Sequence, residues 1–123
     1  MTPEEAYEYA LKYGPCKETR EAACEDIFYA YYYAKDIDKE PREKTRKVAC
    51  EDSYYAYIYA YYVDKYSREE TRNAVCKNPE WAYYYAKNLD KNFHEETWEA
   101  VKNTKYEQKY IEFINSTMKE EII

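Results

Sequence analysis

Apolar and small residues recur along this chain with a helical period, and the pattern itself repeats. Ala82, Tyr85, Ala86 and Leu89 fall at i, i+3, i+4 and i+7, one face of a helix. The same stripe appears as Ala56, Tyr59, Ala60 and Val63, and again as Ala30, Tyr33, Ala34 and Ile37, each set 26 residues before the next. A shorter stripe, Thr71, Ala74 and Val75, precedes it and predicts a first helix from about Ser67 to Cys76. Its start reads as a capping box, Ser67-Arg68-Glu69-Glu70, in which side chains satisfy the free backbone donors of the first turn. The second helix starts at Asn78-Pro79, an N-cap followed by proline at the first helical position. Asp26, Asp52 and Thr2 take the cap role in the other units.

Thr19, Thr45, Thr71 and Thr97 keep the 26-residue step, as do Cys24, Cys50 and Cys76. A fixed period in this range marks stacked units that bury their apolar faces against their neighbours. The chain divides into a truncated unit (1–18), three repeats (19–44, 45–70, 71–96) and a divergent C-terminal cap (97–123), all within one domain. The two alanines of each stripe let neighbouring helices approach closely, and the tyrosine between them fills the gap. In the cap, Thr104-Lys105-Tyr106-Glu107 reads as another capping box. Tyr106, Tyr110, Phe113, Ile114, Thr117 and Met118 then line one face of a longer helix, about 105–120. The expected fold is all-α: an α-solenoid of about nine helices in short antiparallel hairpins, closed by that longer helix.

The AYxYA-type helices, the Asn-Pro or Glu-Asp caps and the period near 26 resemble tandem short α-helical repeats of uncharacterised phage, viral and bacterial proteins, over nearly the whole chain. The resemblance implies the fold and brings no active site with it. In size and acidity the chain is also similar in style to phage-encoded inhibitors of host proteins.

Composition narrows the function. Net charge is −6, from 25 acidic and 19 basic residues, which disfavours bare nucleic acid and suits a basic or neutral partner. Nineteen tyrosines supply apolar bodies with polar tips, suited to helix contacts and exposed binding faces. A single glycine leaves no material for phosphate-cradling loops. No apolar run is long enough to span a membrane and the start, Met1-Thr2-Pro3-Glu4-Glu5, lacks a signal-peptide core, so a cytoplasmic location and no membrane partner are expected. The Cys24/Cys50/Cys76 ladder reads as small buried thiols, because equivalent positions in stacked helices lie too far apart for disulfides.

Catalytic chemistry finds no support. His94 is the only histidine and shares a column with Arg42 and Arg68, a surface position near a helix start. Carboxylates recur at Asp38, Asp64 and Asp90, where they read as exposed partners of Lys39, Lys65 and Lys91 rather than as a unique acid–base pair. The expectation is a non-enzymatic protein with no catalytic residues, no metal site and no cofactor.

Departures from the repeat then locate a binding site. On the outward face of the second helix, one flanking unit carries Tyr32, Lys35 and Asp36 and the other Tyr84, Lys87 and Asn88. The central unit carries Ile58, Tyr61 and Tyr62, followed by Tyr66. An aromatic patch at the middle of a stack suits a hot spot. The expected contact residues are Ile58, Tyr61, Tyr62 and Tyr66, helped by Tyr32, Tyr84 and Trp81. The alternative is that this face packs against the C-terminal helix or a second copy. Trp98, in the column of Arg20, Arg46 and Arg72, reads as a seal on the end of the stack. The favoured function is a protein–protein interaction module, in its sharpest form a phage or mobile-element inhibitor of the anti-defence or anti-CRISPR kind. Two alternatives stand beside it. One is a single-stranded nucleic-acid or nucleotide binder using the row Tyr7, Tyr31, Tyr57, Tyr83 with Arg20, Arg46 and Arg72 on phosphates. The other is a self-assembling structural repeat, starting from a homodimer.

Overall fold

A computed structural model describes residues 1–122, with side chains through Lys119. Position 123, the last of the expected cap, lies outside the described residues. Nine α-helices and no strand are present among those described. α1 (Pro3–Tyr13) begins in a true capping box. The Glu5 N–H donates to Thr2 Oγ1 at 3.1 Å and the Thr2 N–H donates to Glu5 Oε1 at 3.2 Å. It ends at Gly14, whose φ of 94° only glycine adopts freely. The repeats follow as helix pairs: α2 (Lys17–Ala23) with α3 (Ile27–Tyr32), α4 (Glu43–Ala49) with α5 (Ser53–Tyr59), and α6 (Glu69–Val75) with α7 (Pro79–Tyr85). α8 (Glu95–Val101) and the long α9 (Glu107–Ile122) close the chain. The second helices start where expected: Asp26 accepts the Phe28 N–H, Asp52 the Tyr55 N–H and Asn78 the Glu80 N–H.

The apolar residues form a string of small cores, each shared by neighbouring units. Tyr31, Ala34 and Ala49 meet Ile58, Tyr59 and Val63. Ala56 and Ala60 meet Ala74, Val75 and Tyr85. Ala82, Tyr83 and Ala86 meet Val101, Tyr106 and Tyr110 of the cap. This is nearest-neighbour burial, the energetics of a repeat stack. Trp98 lies half-buried against the last of these cores, 5.8 Å from the Tyr110 ring, at the end of the stack.

Two networks of buried polar groups tie each unit together, and both differ from the sequence-based expectation. Ser67 does not cap α6. Its N-cap is Arg68, which makes no side-chain cap bond. The Arg68 N–H donates instead to the Tyr85 hydroxyl at 2.8 Å, and Thr71 Oγ1 lies 2.7 Å from the same oxygen. The knot recurs in all four units, as Thr19–Tyr33 at Cys16, Thr45–Tyr59 at Arg42, and Thr97–Tyr110 at His94. The periodic threonine and the stripe tyrosine thus cap the first helix jointly. The Thr104 box is likewise incomplete. Thr104 Oγ1 accepts the Tyr106 N–H, but Glu107 reaches the Asn103 N–H, and α9 starts at Glu107 rather than 105.

The second network joins arginine and aspartate 18 residues apart. Asp38, Asp64 and Asp90 are not exposed partners of the neighbouring lysines. Their side chains are fully buried and pair at 2.7 Å with Arg20, Arg46 and Arg72. A π-helical turn precedes each aspartate (Tyr33–Asp38, Ala60–Asp64, Ala86–Asp90), closed by bonds from the Lys39, Lys65 and Lys91 N–H to the carbonyls of Ala34, Ala60 and Ala86. The wider turn re-phases the chain so that the carboxylate swings back onto the preceding helix. The three lysines are left-handed C-caps at φ 55°, 66° and 59°. Cys24, Cys50 and Cys76 are free and half-buried rather than fully enclosed, and burial raises each thiol pKa, to about 12 at Cys50.

Burial likewise raises the hydroxyls of Tyr59, Tyr85 and Tyr110 above the ordinary tyrosine value. The folded chain therefore holds these protons more tightly than the unfolded chain, so their contribution is intact below about pH 10 and is lost as pH rises past it. Melting temperatures followed by circular dichroism are expected to be level from pH 7 to about 8, to begin falling past about pH 8.5, where the three raised thiols hold protons that the unfolded chain releases, and to fall more steeply above about pH 10. A level profile to pH 11.5 would show that these hydroxyls titrate as they do in water.

Candidate functional site

The second helices share one face, and their first turns load it with rings. Trp81 on α7 spans two units, its ring 5.0 Å from Tyr54, 5.5 Å from Tyr57 and 5.9 Å from Tyr84. Tyr57 continues to Tyr61 at 6.0 Å and Tyr61 to Tyr62 at 4.9 Å. In the other direction Tyr54 meets Tyr55, Tyr55 meets Tyr31, and Tyr31 meets Tyr32, all edge-on. The result is an unbroken ribbon of aromatic contacts across α3, α5 and α7, with the spacing and tilt that ring quadrupoles favour.

The expected contact residues separate on this surface. Tyr61 and Tyr62 stand 44% and 52% exposed at its centre, uncovered by α9. Trp81 and Tyr84 are half-buried beside them, and Tyr32 joins through Tyr31. Ile58 does not belong to the exposed patch. It is only 9% exposed and packs with Tyr31, Ala34 and Val63, because its position faces the preceding unit. Tyr66 lies past the π-helical turn, where its hydroxyl bonds to Arg68 and its ring faces the guanidinium at 5.0 Å. It shares with Tyr62, where the ring chain ends, a recess of about 440 Å³.

Sequence reasoning missed Phe28 and Tyr54, both exposed, which begin the ribbon in their units. The signal was present: Phe28 and Tyr54 are aromatics in a solvent-facing first turn, one step before the column Tyr29, Tyr55, Trp81.

The tyrosine row at 7, 31, 57 and 83 is largely wedged between units. Tyr31 and Tyr83 are buried, Tyr7 donates to Asp36 Oδ2 at 2.8 Å, and Tyr57 accepts from Asn88 at 2.9 Å. Arg20, Arg46 and Arg72 are held in the ion pairs described above rather than turned outward to phosphate. His94 occupies the N-cap of α8, its Nε2 3.7 Å from Asp90.

Compared with protein-family models, with curated proteins and with solved structures, the chain matches none of them. What fold and site together define is an all-α repeat protein with an aromatic outer face. No helix among the described residues is long and apolar enough to cross a membrane.

Proposed function

We propose that this chain is a non-enzymatic protein-binding module that docks its aromatic face on a partner with a basic or neutral surface. One observation carries the reading. At the centre of the stack, where the flanking units place Lys35 with Asp36 and Lys87 with Asn88, the middle unit exposes Tyr61 and Tyr62. Exposed adjacent tyrosines over a rigid aromatic bed have the composition and preorganisation of a hot spot. The net charge of −6 favours encounter with basic surfaces. In its finer form the module is a phage or mobile-element inhibitor that occludes a host protein, and it works in the cytoplasm, where four free thiols are stable.

Capture from host lysate, read by mass spectrometry, tests the reading. Tyr61→Ala with Tyr62→Ala is expected to weaken capture of the partner by about 30-fold or more, while the helical circular dichroism stays unchanged because neither ring is in a core. Undiminished capture would remove these tyrosines from the interface. Recovery of nucleic acid, or of the chain alone, would replace the reading with nucleic-acid binding or self-assembly.

A further inference from the structure

The groove between α1 and α3, about 360 Å³ at the first end of the stack, differs chemically from the surface at the later units. Its walls are aromatic. The Tyr7 and Tyr29 rings lie 5.8 Å apart, Phe28 meets Tyr29 edge-on at 5.0 Å, and Phe28 lies 4.7 Å from Tyr32. Its rim is acidic, with Glu4 and Glu8 exposed along α1 and Asp36 facing them from the end of the second helix.

The repeat register shows that this acidity is local. Positions 4 and 8 correspond to Phe28 and Tyr32, then to Tyr54 and Ile58, then to Glu80 and Tyr84. α1 alone carries carboxylates at both. Glu5, by contrast, is used in the helix cap, whereas Glu4 and Glu8 have no such structural role. Asp36 is fixed by the Tyr7 hydroxyl, whose pKa burial and that carboxylate push up to about 12, so the phenol stays a donor. The groove's edge already holds a cation of the chain's own: Lys35 Nζ lies 3.4 Å from Asp36 Oδ1 and 5.9 Å from the Tyr32 ring centroid.

We propose that this groove receives an arginine side chain presented by an extended segment of a protein partner. A guanidinium is planar and weakly hydrated. It stacks on a ring while its N–H groups reach carboxylates in the same plane, which a quaternary ammonium cannot do and a lysine does at a single point. Rings for the flat face and three carboxylates for the edge are both present. The groove is also continuous with the central tyrosines, since Tyr32 leads through Tyr31, Tyr55 and Tyr54 to Trp81 and Tyr61. The inference rests on the protein-binding reading only for the origin of the arginine.

The test needs no partner. The whole chain is titrated with the peptide acetyl-Gly-Gly-Arg-Gly-Gly-amide, with its citrulline counterpart and with its lysine counterpart, while aromatic resonances are followed by NMR. Saturable shifts are expected at Tyr7, Phe28, Tyr29 and Tyr32. Citrulline is expected to bind about tenfold more weakly or worse, and lysine more weakly than arginine. Glu4→Gln with Glu8→Gln, both on the surface, is expected to reduce the arginine affinity about tenfold, and Lys35→Met to raise it. Equal binding of citrulline or of lysine, no saturable shift, or shifts centred on Tyr61 and Tyr62 would overturn the groove. The Tyr61→Ala, Tyr62→Ala chain should bind the peptide as the wild type does. A failed titration with lysate capture intact therefore sinks the groove alone, and lost capture specificity with a sound titration sinks the module reading alone.

Discussion

Replacing Asp64 with alanine is expected to destabilise the stack by about 3–5 kcal/mol. The Asp64 side chain has no exposed surface, and it accepts from Arg46 Nη2 at 2.7 Å and Nε at 3.1 Å, with Arg68 Nε a further 3.5 Å away. Arg46 is itself buried, at 6% exposure. Removing the carboxylate leaves a buried guanidinium with no counter-charge, so the loss comes from an uncompensated charge more than from a deleted attraction. An exposed pair sets the contrast. Glu99→Ala breaks the contact from Lys102 at 2.5 Å, where both side chains are 40% exposed or more, and is expected to cost less than about 1 kcal/mol. Urea unfolding of both variants measures the difference. Because Asp64 closes the central unit, its loss should also split unfolding into two steps, as the units on either side uncouple. Asp64→Leu combined with Arg46→Met should recover most of the stability, since it removes the charge along with its partner. A cost below about 1 kcal/mol for Asp64→Ala would show that Arg46 reaches water without it.

The apolar part of this architecture was legible because it is periodic. The stripe Ala82, Tyr85, Ala86 repeats in register, so the helix pairs and their core residues follow from spacing alone. The polar part was harder to read because local rules compete with tertiary partners. Ser67 and Glu70 satisfy a capping-box pattern, yet a tyrosine hydroxyl from the next helix takes the N–H at Arg68. Asp64 and Lys65 look like an exposed pair, but a π-helical turn rotates the carboxylate inward and leaves the lysine as a left-handed cap. No single-helix periodicity announces that extra residue. The clue lay between columns: arginine precedes aspartate by 18 residues, and threonine precedes tyrosine by 14, in every full repeat. Ile58 illustrates the same difficulty on the surface. Its helix phase points outward by ideal geometry, but the preceding unit's Tyr31 and Ala34 come across to cover it.

Those paired columns bear directly on what the stripe tyrosine does. Tyr59→Ala is expected to cost about 3–5 kcal/mol, since it empties a fully buried ring site between Ala34 and Val63. Tyr59→Phe keeps the ring and removes only the hydroxyl. A tyrosine acting as filler alone would tolerate that change, with a loss near zero. Here the hydroxyl accepts the Arg42 N–H at 3.1 Å, donates toward the Arg42 carbonyl at 3.1 Å, and lies 2.8 Å from Thr45 Oγ1. Tyr59→Phe strands the N–H that begins α4 and is expected to cost about 1–3 kcal/mol. Thr45→Val should cost about 1 kcal/mol, because the tyrosine still serves Arg42. The two changes combined should cost less than their sum by about 0.5 kcal/mol or more, the coupling of groups that share one bond. Chemical denaturation of the three variants supplies that cycle. Strict additivity, with Tyr59→Phe near zero, would return the tyrosine to the role of filler. A measured coupling would instead explain why a buried polar pair recurs in every unit: each threonine–tyrosine bond fixes the start of one helix against the next, at its end in the three repeats and in its first turn at α9, and so sets the angle at which the aromatic face is presented.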